Sequence, residues 1–457
     1  MTRTLIVGAG FAGLAAGFAL RAAGDDDFEI IERAEAPGGT WRDNTYPGVA
    51  CDVPALLYSL AGRPWAGWSR TYAPGAEIND YLRHVAAELP IRYGTPMLDA
   101  RWDGDAWVVQ TGDEALRVTN LVLACGRLTV PKVPQIAGLG GFDGPVFHSA
   151  RWDHSLSLAG RRIAVVGTGA SGVQLVPALV REGAAVVLFQ RTPAWIVPKQ
   201  DAPAYVSSER DALYVEGEAR FASRSGDVDA QRAAQAEARA HLEAHIIDPV
   251  LRARLTPDYA FGCKRVLLSD DFYPAVASDA VTLVPSALDR VDGRTLTASN
   301  GSSHDVDAVV LATGFATQRQ PFAAHVVGES GLSLDEHWTG GMTAVASTLV
   351  SGFPNLFVLG GPNATLGHNS SVLLLEAQAA FAADLVGRGT TIRVTPEAEA
   401  ADADDIARRA STTPWLIGGC DNWYVDQRSG RLTLLWPGTV ADFRTRLKAA
   451  IPEGAHP

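Results

Sequence analysis

The chain opens on a short apolar run, TLIV, followed by the small-residue stretch GAGFAGLAAGFALRAAG and a second apolar run, FEII. Apolar runs of about four to eight residues bounded by turn formers are the pattern of strands buried on both faces. A helical stretch between two such runs predicts a β-α-β unit. The pattern returns at RRIAVVGTGASGVQLVPALV and AAVVLF, so the chain carries two units. Each half also closes alike, with TNLVLACG ending at Gly126 and VDAVVLATG at Gly314. Ahead of each closing run lies an alternating, turn-rich stretch, such as DARWDGDAWVVQTGDEALRVT, that predicts a β-meander.

The second half is longer, 147 residues from Gly167 to Gly314 against 118 from Gly8 to Gly126. The excess matches a segment from about Ser207 to Leu255, rich in Ala, Arg and Glu, with helical composition and solvated charge. It reads as a helical insert, either a surface appendage or a lid over a substrate. Beyond Gly314, GFPNLFVLGGPNATLGHNSSVLLLEAQAAFAADLV supplies a strand, a polar loop and a helix that complete the first unit. The expected fold is α/β: two Rossmann-like dinucleotide-binding domains, each with a β-meander, plus a helical insert. The expected bounds are 1–147 with 321–457, 148–206 with 256–320, and 207–255.

Glycine spacing indicates what these units hold. Gly8, Gly10 and Gly13 form GxGxxG, and Gly167, Gly169 and Gly172 repeat it. The first glycine makes the turn, the second admits a pyrophosphate to the helix N-terminus, and the third lets helix pack on strand. Glu32 closes the second strand of the first unit, where a carboxylate accepts hydrogen bonds from a ribose diol. In the second unit Gln190 and Arg191 stand there instead. A guanidinium suits the 2′-phosphate of NADP(H), which a carboxylate would repel. The polar loop and closing helix of the first unit suit FAD.

Composition narrows the partners. At 457 residues the chain has room for two or three domains. A formal net charge of −12 speaks against nucleic-acid binding through the phosphate backbone and favours small molecules. No stretch reaches the roughly 18 uninterrupted apolar residues of a membrane span. The apolar start is glycine-patterned and runs into FEIIER, unlike a secretion signal. The four cysteines, Cys51, Cys125, Cys263 and Cys420, are scattered and form no CxxC or metal-ligand pair. They read as free thiols in a reducing cytosol, and the protein as cytoplasmic and metal-free.

Three further motifs carry a resemblance. FDGPVFHSARWD places Phe142, Gly144, His148, Trp152 and Asp153 just ahead of the second glycine turn. GGTWRDNTYPGVACD carries Gly39, Thr40, Trp41, Tyr46, Pro47, Gly48 and Asp52, and FGCKRVLLSDDFYP carries Lys264 and Arg265. With these motifs in order between Thr4 and Arg444, the chain resembles the class B flavin-dependent monooxygenases, and within them the Baeyer–Villiger monooxygenases. That family's signature is FxGxxxHxxxW followed by Pro or Asp; related N- and S-oxygenating enzymes usually carry Tyr or Phe at the Trp152 position. GPNATLGHNSS, with Asn363, and WYVDQRSGRLTLLWPG also look like family blocks.

The resemblance implies that NADPH reduces bound FAD, that O2 adds to the flavin at C4a, and that the resulting peroxide attacks a ketone to give an ester or lactone. Such an attack needs a fixed cation beside the developing negative charge, and an arginine never loses its proton. Arg265 is the implied cation and Asp52 the carboxylate that orients it, although such pairs are also a common structural device. Gly39, Thr40, Trp41, Tyr46 and Asn363 fall to FAD with the first glycine turn, Glu32 and Asp52. Lys264, Arg191 and Thr192 fall to NADPH with the second turn. His148 and Trp152, four residues apart, would share one face of a helical turn. By resemblance they lie on the linker between domains and couple domain rotation to cofactor position, with Phe142 and Gly144 shaping its start. Other readings stay open: a class B enzyme oxidising nitrogen, sulfur or an activated carbon, an NADPH-dependent flavin reductase, which would need a redox-active cysteine pair, or a non-catalytic nucleotide sensor.

Overall fold

The computed structural model describes residues 3–202 and 210–450. Two five-stranded parallel sheets form the frame. The first orders its strands Leu356–Val358, Asn120–Leu123, Thr4–Val7, Phe28–Ile31, Ile91–Arg92. The second orders them Val281–Val284, Ala185–Phe189, Arg162–Val166, Ala308–Leu311, Val146–His148. In both, the strand before the glycine turn sits in the middle: Ile6 pairs with Ile30 on one side and Val122 on the other. Every residue of Thr4–Val7 is buried, as the unbroken apolar run predicts. Burying side chains of this kind contributes about 1.5–3 kcal/mol each.

Each sheet is covered by helices on one face and a meander on the other. Helices Phe11–Ala22 and Ser371–Gly387 share one core with the first sheet, through Leu14, Leu20, Leu374 and Phe381. The antiparallel strands Asp99–Trp102, Trp107–Gln110 and Ala115–Val118 cover the other face, with Trp107 fully buried. In the second unit, helix Ala170–Arg181 and the short helix Phe272–Ala277 pack on one face, and strands Leu288–Asp292, Thr295–Ala298 and Ser303–Asp305 on the other. The third glycine of each motif lets helix meet strand. A Cβ on Gly13 would stand 1.8 Å from the Gly8 carbonyl oxygen, and one on Gly172 would stand 2.2 Å from that of Gly167.

The linker works differently from a helical face. Val146–His148 is a strand of the second sheet, so the expected boundary after residue 147 falls inside it. His148 caps a single 3-10 turn, Ser149–Arg151, accepting at Nδ1 from the Ala150 amide (3.1 Å), while its Nε2 lies 2.9 Å from the Gly314 carbonyl oxygen. Trp152 turns its ring edge-on to Phe147, 5.1 Å between centroids. Phe142 packs under the second meander, and a Cβ on Gly144 would strike both the Asp307 carbonyl and the Phe142 ring at 2.7 Å.

The cysteines correct the expectation of four free thiols. Cys263 and Cys420, 157 positions apart, form a disulfide, their Cα atoms 6.2 Å apart, while Cys51 and Cys125 are free. Sequence spacing gave no sign of this because the pairing is made by the fold, across the two units. Among the described residues, no helix is long and apolar enough to cross a membrane.

The insert expected from residue 207 begins outside the described residues. Its described part holds helices Arg210–Ala219, Val228–His245 and Pro249–Leu255, with a 3-10 turn at Arg220–Arg224. Asp227 and Asp248 cap the second and third helices, and Pro249 takes the first helical position of the third, as such residues favour. The insert bridges both units. Leu242, Ile246 and Leu255 bury against the second sheet's core, while Glu218 accepts from the Val440 amide (3.0 Å) and Asn369 Nδ2 (3.0 Å) of the first unit.

Candidate functional site

The first glycine turn leaves a narrow cleft. Gly10 starts helix Phe11–Ala22 with no side-chain cap, so the helix's free amides face outward. A Cβ on Gly39 would stand 3.5 Å from the Gly10 Cα, so any side chain there would fill the space between the two backbones. An anion at a helix N-terminus fits this cradle. Glu32 lies at its edge, buried, with Oε2 accepting from the Ala9 amide (2.9 Å) and Oε1 from the Ala34 amide (3.0 Å) and Arg42 (3.1 Å). Oε2, with one donor, keeps lone-pair capacity for another.

The second turn is the same device with a different edge. Gly169 starts helix Ala170–Arg181 uncapped, and no atom lies within 4 Å of where its Cβ would be. Gln190 is buried and donates to the Arg254 carbonyl (2.8 Å), a structural contact. Beyond it Lys264 Nζ donates to Thr192 Oγ1 (2.9 Å) and lies over the Tyr259 ring. Burial, and then the neighbouring Arg191, hold the Lys264 pKa below its ordinary value. Neither cation has an ion-pair partner among the described residues, although the charges of Asp421 and Asp258 reach Lys264, so two positive groups stand free of direct pairing beyond the end of this strand. That arrangement suits a phosphate.

Arg265, next in sequence to Lys264, donates to Asp52 Oδ2 through Nε (2.9 Å) and Nη2 (2.5 Å). The charge of Asp52 raises the Arg265 pKa further, against the opposing effect of burial, so this cation is permanent. Its side chain remains 33% exposed, and that exposure opens into a cavity of about 380 Å3. The cavity is walled by the Asp52–Leu57 loop of the first unit, by the insert from Leu213 to Arg224, and by Leu366–Asn369. The insert is therefore a wall of the site rather than a detached surface feature.

The YPG motif holds the Asp52 loop against the second unit. Tyr46 donates to Gln174 Oε1 (2.8 Å), whose Nε2 donates to the Ala50 carbonyl (2.9 Å). Gly48 adopts φ +82°, and a Cβ there would stand 2.7 Å from the Gln174 carbonyl oxygen. Gln174 was not singled out by sequence; its only signal was a polar residue on an otherwise apolar helix. Trp41 Nε1 donates to Tyr58 (3.3 Å), and Thr40 begins the short helix Thr40–Asp43 beside the first cradle. Asn363, at φ +53°, donates its amide hydrogens to the carbonyls of Leu432 (2.7 Å) and Leu435 (2.9 Å), which ties loops together.

An uncapped glycine turn in each unit and a permanent cation lining a cavity walled by the first unit and the insert are the features of an oxidoreductase that works with two dinucleotides. Residues 5–212 match the family described as pyridine nucleotide-disulphide oxidoreductase. The chain is 41% identical to a Baeyer–Villiger monooxygenase of Streptomyces coelicolor, over 97% of this chain and 90% of that one. Its structure superposes on OTEMO in complex with FAD and NADP at a TM-score of 0.87, with 25% identity over 98% of this chain and 97% of that one. It also superposes on NADP+-bound cyclohexanone monooxygenase from Rhodococcus sp. Phi1 at 0.87, with 25% identity and the same coverage. The chain belongs to the Baeyer–Villiger monooxygenases.

Proposed function

We infer that the protein is an FAD- and NADPH-dependent monooxygenase that inserts one atom of O2 beside a ketone carbonyl, giving an ester or lactone, water and NADP+. The observation that carries this reading is the Asp52–Arg265 pair opening into the cavity that the first unit and the insert wall. Bound FAD, reduced by NADPH, supplies the activation of O2; the remaining work falls to this chain. The first unit takes FAD: the Gly8–Gly13 turn and Gly39 hold its pyrophosphate and Glu32 its ribose. The second unit, which begins with the strand Val146–His148, takes NADPH, with its pyrophosphate on the Gly167–Gly172 turn and its 2′-phosphate on Arg191, Lys264 and Thr192.

Arg265 stabilises the negative charge that develops on the carbonyl oxygen under attack. It cannot quench the attacking oxygen by giving up a proton, because Asp52 keeps it charged. Asp52 binds it through one oxygen only, fixing the guanidinium while leaving part of it open to the cavity. The disulfide that the reductase reading would need is now present, but Cys263 is fully buried among Trp195, Tyr259 and Phe261. That is the setting of a structural link rather than an exchanging thiol.

Product analysis with 18O2, NADPH and a panel of cyclic and linear ketones tests the reading. An ester carrying one labelled oxygen supports it, whereas sulfoxides from sulfides with no ester from any ketone would overturn it. Arg265→Ala should retain FAD and its reduction by NADPH but lose about 100- to 1,000-fold in ester formation, the electrons appearing as hydrogen peroxide.

A further inference from the structure

The cavity holds one cation that the reaction above does not use. Arg224 ends the 3-10 turn of the insert and lines the same cavity as Arg265. The other cations there are matched: Arg265 with Asp52, Arg220 with Glu216, and Lys199 Nζ 3.8 Å from Asp201. Arg224 has no carboxylate partner among the described residues. Its Nη1 donates to Ser223 Oγ (2.7 Å), its guanidinium stacks on the Phe261 ring at 4.6 Å, and its stem lies where a Cβ on Gly262 would be. Only 9% of the residue is exposed. Burial lowers its pKa to about 10, so the charge persists at neutral pH. A charge held out of water without a counter-ion is costly, and its charged neighbours Arg220 and Arg265 are both positive.

A second unsatisfied group shares the cavity. The His368 side chain is fully enclosed; Nδ1 has no hydrogen-bond partner, and Nε2 has only Glu218 Oε1 at 3.6 Å, beyond a normal hydrogen bond. Burial favours the neutral ring against the opposing pull of Glu218, and the charge of Arg224 adds to it last. A neutral imidazole offers one N–H donor. A buried guanidinium without a counter-ion and a buried imidazole short of a full hydrogen-bond partner are complementary to an anion that accepts several hydrogen bonds.

We propose that Arg224 and His368 form a carboxylate-binding subsite, and that the substrates are oxo acids whose carboxylate Arg224 holds while the ketone carbonyl reaches Arg265. The proposal rests on the Baeyer–Villiger reading for its chemistry. A phosphate of the coenzyme is the competing anion: Arg224 packs on Phe261 and Gly262, in the same stretch as Lys264, but its hydrogen bond goes to Ser223 while Lys264 bonds Thr192.

The test sets linear oxo acids from levulinate upward, each against its methyl ester, on the FAD-loaded enzyme. The wild type should favour acid over ester in kcat/KM by about 10- to 100-fold, the range of a charge-assisted hydrogen bond in a buried site. Arg224→Met should collapse that ratio, and Arg224→Lys should restore part of it, with KM for NADPH unchanged in both. A wild type indifferent to the acid, or a variant that loses acid and ester alike, would overturn the proposal, as would a raised KM for NADPH. Binding is read separately, as the change in flavin absorbance when oxo acid is added to the oxidised enzyme. Acids that bind in wild type and not in Arg224→Met support the subsite even if no ketone is oxygenated, which would instead count against the reaction. Should the methionine variant fail to fold, Arg224→Lys alone should still lower the acid-to-ester ratio in binding, and an unchanged ratio would refute the assignment.

Discussion

Glu218→Gln should loosen the wall that the insert gives the cavity. Burial acts to raise the Glu218 pKa, but the nearby His368, Asn369 and the amides of Val440 and Ala441 outweigh it and hold the carboxyl at about 2. Those amides begin helix Val440–Ala449, where a negative charge is favoured. Against an ordinary value of 4.5, the displacement converts to an upper bound of about 3 kcal/mol at about 1.4 kcal/mol per pH unit. Screening at a partly solvated site reduces it to about 1–2 kcal/mol. Because the folded value lies below the unfolded one, this stabilisation is complete above pH 4.5 and fades as pH falls towards 2. Native-state hydrogen exchange is the assay. Helix Arg210–Ala219 should exchange about 5- to 30-fold faster in the variant at neutral pH, with the sheet strands unaffected. The wild type should approach the variant as the medium is acidified. Equal exchange in both proteins at neutral pH would refute the docking role of this carboxylate.

Two further outcomes follow from the geometry. Arg191→Ala should raise KM for NADPH by about 10- to 100-fold and leave KM for NADH nearly unchanged, since only NADPH carries the 2′-phosphate; steady-state kinetics with both coenzymes decides it. Cys420→Ser should lower the melting temperature, because the link closes a loop spanning 157 positions and constrains the unfolded chain by up to about 3–5 kcal/mol. Non-reducing peptide mapping of the wild type should recover the Cys263 and Cys420 peptides joined.

The frame of this molecule was legible because it rests on local patterns. Unbroken runs such as TLIV marked strands buried on both faces, and the glycine triplets marked positions where a Cβ has no room. The sequence also brought Asp52, Lys264 and Arg265 forward through motif order; the fold sets Asp52 and Arg265 on one cavity's wall and Lys264 beside Thr192. What stayed hidden depends on long-range closure. Nothing in the spacing of Cys263 and Cys420 indicates that the two units bring them together. Gln174 reads as an ordinary helix residue until the Tyr46 loop is laid on it, and Arg224 as one of many surface arginines until the insert folds inward. His148 and Trp152 were placed on a helical face by their spacing, but the strand Val146–His148 carries the chain straight into the second sheet.

The Lys264–Arg265 dipeptide shows why the site cannot be assigned to either unit alone. Its segment is fastened to the second unit by the pairing of Leu267 with Ile196, and to the C-terminal part of the chain by Cys263. Adjacent side chains then diverge: Lys264 reaches Thr192 at the end of a second-sheet strand, while Arg265 reaches Asp52 on a loop of the first unit. One short stretch of backbone thus connects the proposed coenzyme phosphate site with the proposed reaction centre. The Asp52 loop is held reciprocally, through Tyr46 and Ala50, by Gln174 on the helix that follows the second glycine turn. The carboxylate and the guanidinium therefore meet only in the register that these cross-unit contacts permit. In this arrangement, a displacement of the second unit relative to the first would move Lys264 and part Arg265 from Asp52 together, so coenzyme position and the cation at the carbonyl are linked by the covalent chain itself.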